Sequence, residues 1–400
     1  MNHVDCLMKK VSQISVKEAA LKIKSGDVVV VGGFGMTGTP IHLLDAIAET
    51  DVKNLTMISN NVGEPGMGGG RMLRNGQLKK AIGSFFTTNP EVVEAFQSGD
   101  LEVELLPQGN LAEAIRAGGA GLGGFLTPTG AGTQFSEGCD NYVSDGKEYI
   151  VQPALTADVA LVRAWQADLA GNLVYRMTEN NFNQAAATAG KIVIAEVEHI
   201  VPIGELNPNH VHTPGCFVDY LVQAHTTLEE LGSSASVAGS LKKVDESRMR
   251  MAKSALEELR LGDVVNLGIG IPTLCSQFVP QGSSIFYHSE SGVLNYRQMA
   301  EEGEEDQDLI NASGQFLQKV PGMSFFDSAD AFAMIRGGHI DVAVLGALQV
   351  SKDGDLANWM IPARGVGNIG GAMDLAAGAK RLIVAMEHTD RQGGKKLVKE

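Results

Sequence analysis

Four runs of consecutive apolar residues along the chain predict strands that are covered on both faces. They read VVVV at 28–31, IVIAEV at 192–197, DVAVLGAL at 341–348 and RLIVAM at 381–386. Continuous apolar runs rich in β-branched residues are typical of parallel strands between helices. An amphipathic helical pattern with Ser15 and Glu18 spaced as a capping box predicts a helix that ends at Gly26, and a second such pattern predicts a helix from about Ser247 to Gly262. Helices that alternate with buried strands predict an α/β fold with largely parallel sheets.

The chain repeats itself in two halves. Residues 158–173 (DVALVRAWQADLAGNL) match residues 341–356 (DVAVLGALQVSKDGDL), and KIVIAEVEH at 191–199 matches KRLIVAMEH at 380–388. Each half also opens alike, with GDVVVVGGFGMTGTP from Gly26 and GDVVNLGIGIPT from Gly262. Three matched segments in one order indicate an internal duplication. The small residues of LGSSASVAGS at 231–240 indicate a linker, so we predict domains at 1–230 and 243–400, with a linker over 231–242.

Composition narrows the class of protein. The 400 residues carry a formal net charge of −15 and are 44% hydrophobic, which favours a folded chain and disfavours a nucleic-acid-binding surface. No segment has the apolar length of a signal peptide or a membrane span, so we expect no membrane association. Four widely spaced cysteines predict neither a disulfide framework nor a zinc site, and we expect a reducing, cytoplasmic compartment.

Three glycine-rich segments are candidate binding loops. Residues 32–38 (GGFGMTG) lie between a predicted strand and a predicted helix, where backbone N–H groups can bind an anion. Residues 118–133 and the segment GVGNIGGAMD from Gly365 are the other two, and the latter has N–H groups that can face a developing oxyanion. Each segment has an alternative interpretation as a turn, a packed loop or a helix start. The spacing at 32–38 differs from the dinucleotide fingerprint, which disfavours a nicotinamide dehydrogenase.

Glu290 is the candidate reactive carboxylate. It follows the predicted strand of SSIFYHSESGVL and precedes a turn-forming Ser291-Gly292 pair. Ligands of parallel α/β sheets collect at such strand ends, and apolar neighbours make a carboxylate more basic and more nucleophilic. The alternative is an ordinary surface glutamate. We find no GxSxG, HExxH or P-loop motif.

Several long motifs in a fixed order resemble the family I coenzyme A transferases, the 3-oxoacid and acetate/acetoacetate group. They are GDVVVVGGFGMTGTP, LLPQGNLAEAIRAGGAGLGGFLTPTG, YHSESGVL, FAMIRGGHIDVAVLGALQV and NWMIPARGVGNIGGAMDL. Residues 1–230 resemble the α subunit of that family, and residues 243–400 resemble the β subunit. The resemblance implies two similar open α/β domains with an active site between them.

The resemblance also implies roles for individual residues. Glu290 is the implied nucleophile, and Gln108 and Gly371 the implied oxyanion donors. Gly32, Gly33, Phe34, Gly35, Met36, Thr37 and Gly38 form the implied CoA-binding segment. CoA is then a substrate that becomes a covalent glutamyl thioester in ping-pong catalysis, and neither a metal nor a permanently bound cofactor is expected. We expect acyl-CoA and carboxylic acid substrates of the acetate, butyrate and acetoacetate class, and a homo-oligomer.

Three departures from the family pattern modify these expectations. Ser291 stands where the family has Asn, and Asn295 replaces a small residue, so we expect altered pocket polarity. The resemblance further implies that family members continue beyond LVKE, so a shortened second half with an exposed sheet edge is expected. An acyl-CoA hydrolase that uses the same glutamate and a non-catalytic CoA-binding protein therefore stay open as alternatives.

Overall fold

The computed structural model describes residues 11–225, 245–279, 282–361, 365–390 and 392–399. The predicted linker 231–242 lies outside the described residues, as does the predicted boundary between the two domains. None of the described helices is long and apolar enough to cross a membrane.

The first half contains a large sheet and a small one. Its strands are β1 (Ser12–Gln13), β2 (Val28–Val31), β3 (Leu55–Ile58), β4 (Leu78–Gly83), β5 (Glu102–Leu105), β6 (Gly124–Thr127), β7 (Asn141–Ser144), β8 (Lys147–Pro153), β9 (Ala157–Asp168), β10 (Leu173–Val174), β11 (Gly190–Val201) and β12 (Tyr220–Gln223). Among the described residues, the large sheet has the order β1-β12-β11-β9-β2-β3-β4-β5 and is parallel throughout; β10 pairs antiparallel with β9. Strands β6, β8 and β7 form the small antiparallel sheet.

The helices of the first half follow the strands. They are α1 (Val16–Ala20), α2 (Ile41–Ala48), α3 (Gly69–Arg74), α4 (Pro90–Ser98), α5 (Gln108–Gly119) and α6 (Asn183–Ala189), with 3-10 helices at Gln134–Ser136, Met177–Asn180 and Pro208–His210. The predicted capping box of α1 is confirmed, because the Glu18 N–H donates to Ser15 Oγ and the Ser15 N–H donates to Glu18 Oε2. The predicted end of this helix at Gly26 is wrong. The helix ends at Ala20, and Asp27 Oδ2 accepts a hydrogen bond from the Lys24 N–H, which turns the chain into β2.

The second half is built around a smaller sheet. Its strands are β13 (Val264–Leu267), β14 (Phe286–Ser289), β15 (Val293–Tyr296), β16 (Ser324–Phe325), β17 (Val342–Leu345), β18 (Gln349–Ser351), β19 (Leu356–Ala357), β20 (Arg381–Val384) and β21 (Leu397–Val398). Its helices are α7 (Glu246–Glu257), α8 (Ser328–Arg336) and α9 (Ala372–Gly378), with a 3-10 helix at Pro272–Phe278. The described strands of the main sheet have the order β16-β15-β14-β13-β17-β20.

The duplication seen in the sequence is confirmed in the strand order. The series β11-β9-β2-β3 of the first sheet corresponds to β20-β17-β13-β14 of the second, and both series are parallel. Equivalent aspartates make equivalent contacts: Asp158 accepts from the Val28 N–H at 3.0 Å, and Asp341 accepts from the Val264 N–H at 2.9 Å. The copies differ at the next strand, because β4 is parallel to β3 whereas β15 is antiparallel to β14.

One of the hydrophobic cores spans both halves of the chain. Leu111 and Ile115 of α5 belong to the same buried cluster as Phe332 and Ile335 of α8 and Leu375 of α9. Burial of apolar side chains across this contact stabilises a fixed arrangement of the two sheets. The carboxyl ends of their strands are therefore held facing a common space.

Candidate active site

A cavity of about 250 Å³ lies between the halves at the carboxyl ends of the strands. The loops after β2, β3, β4, β13 and β14 all contribute to its wall. Of the residues predicted from the sequence, the structure brings seven together here: Phe34, Gly35, Met36, Thr37, Gln108, Glu290 and Gly371. The predicted Gly32, Gly33 and Gly38 do not line this cavity. The glycine-rich residues 118–133 do not line it either, and part of that segment forms β6.

Glu290 stands in the turn between β14 and β15, as the sequence predicted. Its side chain is buried, and Oε2 accepts a hydrogen bond from Asn266 Nδ2 at 3.0 Å. Burial raises the pKa of the Glu290 carboxyl, because the charged form loses its hydration, while the hydrogen bond from Asn266 opposes this shift. A poorly hydrated carboxylate that faces a cavity is a suitable nucleophile.

Gly371 approaches the Glu290 carboxylate closely. A Cβ at this position would lie 3.3 Å from Glu290 Oε1 and 3.1 Å from Phe332 Cε1, so the site fits glycine and crowds any larger residue. The preceding Gly370 is held by two backbone bonds: its N–H donates to Ser84 O at 3.1 Å, and its carbonyl accepts from the Gln108 N–H at 2.9 Å. The loop that carries Gly371 is therefore fixed to the first half of the chain.

Gln108 begins α5 and is buried at the opposite wall of the cavity. Its Nε2 donates to Asn60 Oδ1 at 2.7 Å, and Ser84 Oγ donates to the same oxygen at 2.8 Å. An amide nitrogen carries two protons, and among the described residues Gln108 Nε2 donates only to Asn60. Its second proton has no acceptor among the described residues.

The glycine loop 32–38 is held from behind by two asparagines. Asn181 Oδ1 accepts from the Gly33 N–H at 3.1 Å, and its Nδ2 donates to Thr37 O at 3.0 Å. Asn183 Nδ2 donates to Gly38 O at 2.9 Å, and a Cβ on Gly32 would lie 1.9 Å from Asn183 Oδ1. Gly32 and Gly38 therefore permit this close packing, while Phe34 to Thr37 line the cavity.

Asp374 connects the two walls. This buried side chain of α9 accepts from the Gly109 N–H at 2.9 Å and from Thr129 Oγ1 at 3.0 Å, and Arg336 Nη1 lies 3.8 Å away. Burial raises the pKa of Asp374 to about 6, since these donors offset only part of the lost hydration.

The two unusual residues near Glu290 have structural contacts that explain them. Ser291 is fully buried, and its hydroxyl donates to Ile310 O at 2.8 Å, so it supports the cavity wall from behind. Asn295 has a φ of 65° and interrupts the pairing of β14 with β15 as a bulge, a conformation that asparagine tolerates. Neither residue lines the cavity, so the expected change of pocket polarity is not supported at these two positions.

Several residues of the site were missed by sequence reasoning. Asn60, Asn61 and Glu64 line the cavity. Asn181 and Asn183 bind the glycine loop, and Asn266 binds Glu290. The run SNNVGEPGMGGG after β3 was an available signal, because it combines amides and glycines at a strand end. No Lys, Arg or His of the described residues lines the cavity.

Comparison with known sequences gives one consistent result. The family model described as "Coenzyme A transferase" matches residues 13–224 and 248–400. The chain is 40% identical over 405 residues to human succinyl-CoA:3-ketoacid coenzyme A transferase 2, mitochondrial, covering 96% of this chain and 78% of that protein. It is 51% identical over 208 residues to one subunit of a probable succinyl-CoA:3-ketoacid coenzyme A transferase from Bacillus subtilis, covering 52% of this chain and 87% of that protein.

Comparison with solved structures agrees on the fold. The apoenzyme of an acyl-CoA transferase from Escherichia coli O157:H7 superposes with a TM-score of 0.77 at 21% identity, covering 98% of this chain and 82% of that one. A thioester complex of the same transferase with CoA gives a TM-score of 0.76 at 22% identity, covering 94% of this chain and 76% of that one. The predicted fold, with two similar α/β domains, is confirmed.

Proposed function

The chain belongs to the coenzyme A transferase family, and on that premise we propose that Glu290 carries CoA between an acyl-CoA and a 3-ketoacid as a glutamyl-CoA thioester. One observation supports this above all others. A single cavity brings the buried Glu290 carboxylate together with Gln108, Gly371 and the glycine loop. The cavity therefore combines a nucleophile, hydrogen-bond donors and a loop for the ligand.

The proposed chemistry consists of two successive acyl substitutions, the first at the thioester carbonyl and the second at the glutamyl carbon. A carboxylate oxygen of Glu290 attacks the thioester carbonyl, the C–S bond breaks, and the CoA thiolate leaves with the electron pair, giving a mixed anhydride. The thiolate then attacks the glutamyl carbon, which releases the first acid and leaves the glutamyl-CoA thioester. The acceptor acid reverses these steps. The energy of the thioester is retained in covalent intermediates, and ping-pong kinetics follow.

Gln108 and Gly371 are the proposed donors to the oxyanions. Gln108, Gly371 and Glu290 line the same cavity, so the Gln108 amide and the Gly371 N–H are the proposed donors to the charge that develops on the acyl carbonyl oxygen. Because Gln108 is held by Asn60 and Gly371 lies in a loop bonded to Ser84, neither donor has to reorganise during the reaction. The loop Phe34 to Thr37 is the proposed contact for CoA.

Two observations bear on the identity of the substrates, namely the names of the relatives and the charge of the cavity wall. The sequence relatives are named for succinyl-CoA, which favours a succinyl donor. The cavity wall favours a short acid with a single carboxylate, such as acetate, butyrate or acetoacetate, because no cation of the described residues lines it and Glu64 adds a second carboxylate. A 3-ketoacid such as acetoacetate satisfies both lines of argument as the acceptor.

Peptide mass spectrometry tests the proposal. The chain is mixed with succinyl-CoA or with acetyl-CoA in the absence of an acceptor acid, then digested, and the peptide that contains Glu290 is examined. A CoA adduct on Glu290 that disappears when acetoacetate is added supports the proposal, and its absence with both donors contradicts it. Continuous release of free CoA without an acceptor acid would instead indicate the acyl-CoA hydrolase.

A further inference from the structure

Asn266 is a polar residue in a strand that is otherwise apolar. In the aligned openings of the two halves, GDVVV and GDVVN, it occupies the place of Val30. Both residues are buried in the middle of their sheets, with exposed fractions of 1% for Val30 and 0% for Asn266. Burying an amide in place of a valine costs free energy unless its groups are hydrogen-bonded. At this place the first half buries an apolar valine, and the second half buries an amide whose burial disfavours folding unless it is hydrogen-bonded.

The Asn266 amide is directed at two acceptors. Its Nδ2 lies 3.0 Å from Glu290 Oε2 and 3.1 Å from His288 Nδ1. The two protons of the amide match these two acceptors only if His288 Nδ1 is unprotonated, which assigns the imidazole proton to Nε2. Burial lowers the pKa of His288 to about 3, so the ring is neutral near pH 7.

The two oxygens of Glu290 consequently have different surroundings. Oε2 is tied to β13 through Asn266, whereas Oε1 faces Gly371, where a Cβ would lie only 3.3 Å away. Gly371 lines the cavity that the acyl group must enter. Oε1 is therefore the oxygen placed to attack, and Oε2 is the oxygen that remains on the glutamyl carbon.

We propose that Asn266 is a further catalytic residue, whose Nδ2 stabilises the negative charge on Glu290 Oε2 while the glutamyl-CoA thioester forms and breaks down. This inference rests on the proposed function of Glu290. When the thiolate attacks the glutamyl carbon, the C–S bond forms and the π pair of the C=Oε2 bond moves to Oε2. When the tetrahedral species collapses, that pair re-forms the carbonyl and the acid leaves with Oε1. His288 is a positioning residue, because it fixes the amide through Nδ1.

The decisive variant is Asn266→Val, which installs the residue that the first half uses at the same place. Transfer turnover is expected to fall by about 10²- to 10³-fold, the usual loss for one oxyanion donor, with the KM for acyl-CoA changed by less than about threefold. Val265→Ala is the matched control. It removes buried volume from the same strand, so it should lower the melting temperature and leave turnover near wild type.

The pH profile supplies a readout that a purely structural role would not move. The acidic limb of kcat/KM should shift to higher pH in Asn266→Val, because the lost hydrogen bond is one that lowers the pKa of Glu290. The other titratable groups around this carboxyl are His288 on β14, Tyr296 on β15 and Asp374 on α9. Repeating the profile in an Asp374→Asn background separates the titration of Asp374 from that of Glu290.

Two histidine variants test the positioning role, and they keep the proposal testable if Asn266→Val does not fold. His288→Asn retains an oxygen acceptor near Nδ1 and should keep turnover within about tenfold of wild type, whereas His288→Leu should lose activity as Asn266→Val does. Equal activity of the two would overturn the role of His288. Wild-type turnover and an unmoved acidic limb in Asn266→Val would overturn that of Asn266. Absence of any Glu290 adduct in the wild-type protein would refute the proposed function instead.

Discussion

The carboxylate of Asp374 accepts a hydrogen bond from the backbone N–H of Gly109 at 2.9 Å, although the two residues are 265 positions apart. Gly109 follows Gln108, and Asp374 follows Gly371 by one helical turn. Together with the bond from the Gln108 N–H to Gly370 O, this contact holds the two proposed oxyanion donors, which come from opposite halves of the chain.

Removing this contact should affect rate more than folding. In Asp374→Ala, transfer turnover is expected to fall by about 10- to 100-fold, because a displacement of about 1 Å between donors and nucleophile costs on the order of 100-fold. Asp374→Asn should recover part of the rate, since its Oδ1 can still accept from Gly109. Asp341→Ala is the control: it also loses a bond to a backbone N–H, but far from the cavity. Steady-state kinetics that leave Asp374→Ala equal to Asp341→Ala would contradict this role.

Asp374 should also make stability depend on pH. Its pKa in the folded state is raised to about 6 from 3.8, so its contribution to stability is complete below about pH 4 and is lost as the pH rises through about 6. The shift corresponds to about 3 kcal/mol at most. Relative to wild type, Asp374→Asn should therefore gain melting temperature between about pH 4 and pH 7. If the melting temperatures of the two proteins differ by the same amount at every pH in this range, the prediction is wrong.

Replacing the proposed nucleophile is the most direct test of mechanism. Glu290→Ala removes the group that forms the thioester, so transfer should fall by at least about 10³-fold while binding of CoA is largely retained. Glu301→Ala, an exposed glutamate of the same half, should behave as wild type. Coupled assays of CoA transfer together with calorimetric binding of CoA measure both quantities. Near-native turnover in Glu290→Ala would end the assignment.

The asparagine behind the glycine loop should control substrate binding. Asn181→Ala removes the bonds to the Gly33 N–H and to Thr37 O, so the loop loses its fixed shape while Glu290 keeps its own contacts. We expect the KM for acyl-CoA to rise by about tenfold, with a smaller change in kcat. Asn209→Ala, an exposed asparagine outside the cavity, serves as the control. A loss confined to kcat would mean that the loop acts on chemistry and not on binding.

Much of the fold could be predicted because burial leaves a local signal. The runs at 28–31 and 342–345 are apolar on both sides since their strands are covered by helices, and the duplicated aspartates kept the register visible. The predicted end of α1 was wrong because the helix stops at Ala20, and the turn before β2 is a separate feature in which Asp27 accepts from the Lys24 N–H and Gly26 has a φ of 88°. That contact cannot be recognised from helical periodicity.

From the residues alone, the site was predictable only in its charged and glycine-rich parts, and the neutral amide Gln108 was predicted through the family resemblance. Glu290 is conspicuous as a carboxylate among apolar neighbours, and the glycine loops are conspicuous by composition. Asn181 and Asn266 were missed because a neutral amide has no charge to mark it, and its role depends on the groups that it hydrogen-bonds in the folded protein. Asn181 contacts a residue 148 positions away, a distance over which the sequence carries no readable pattern.

The antiparallel return after β14 has a dynamic consequence. In the first half the chain leaves β3 through a loop and α3 before it reaches β4, whereas in the second half residues 290–292 connect two paired strands directly. Glu290 is therefore anchored on both sides by the paired strands β14 and β15. Amide protons of the β14–β15 hairpin are therefore expected to exchange slowly, because a paired amide exchanges only when its strand opens. The reacting carboxylate is thus carried by a part of the sheet that is expected to open rarely.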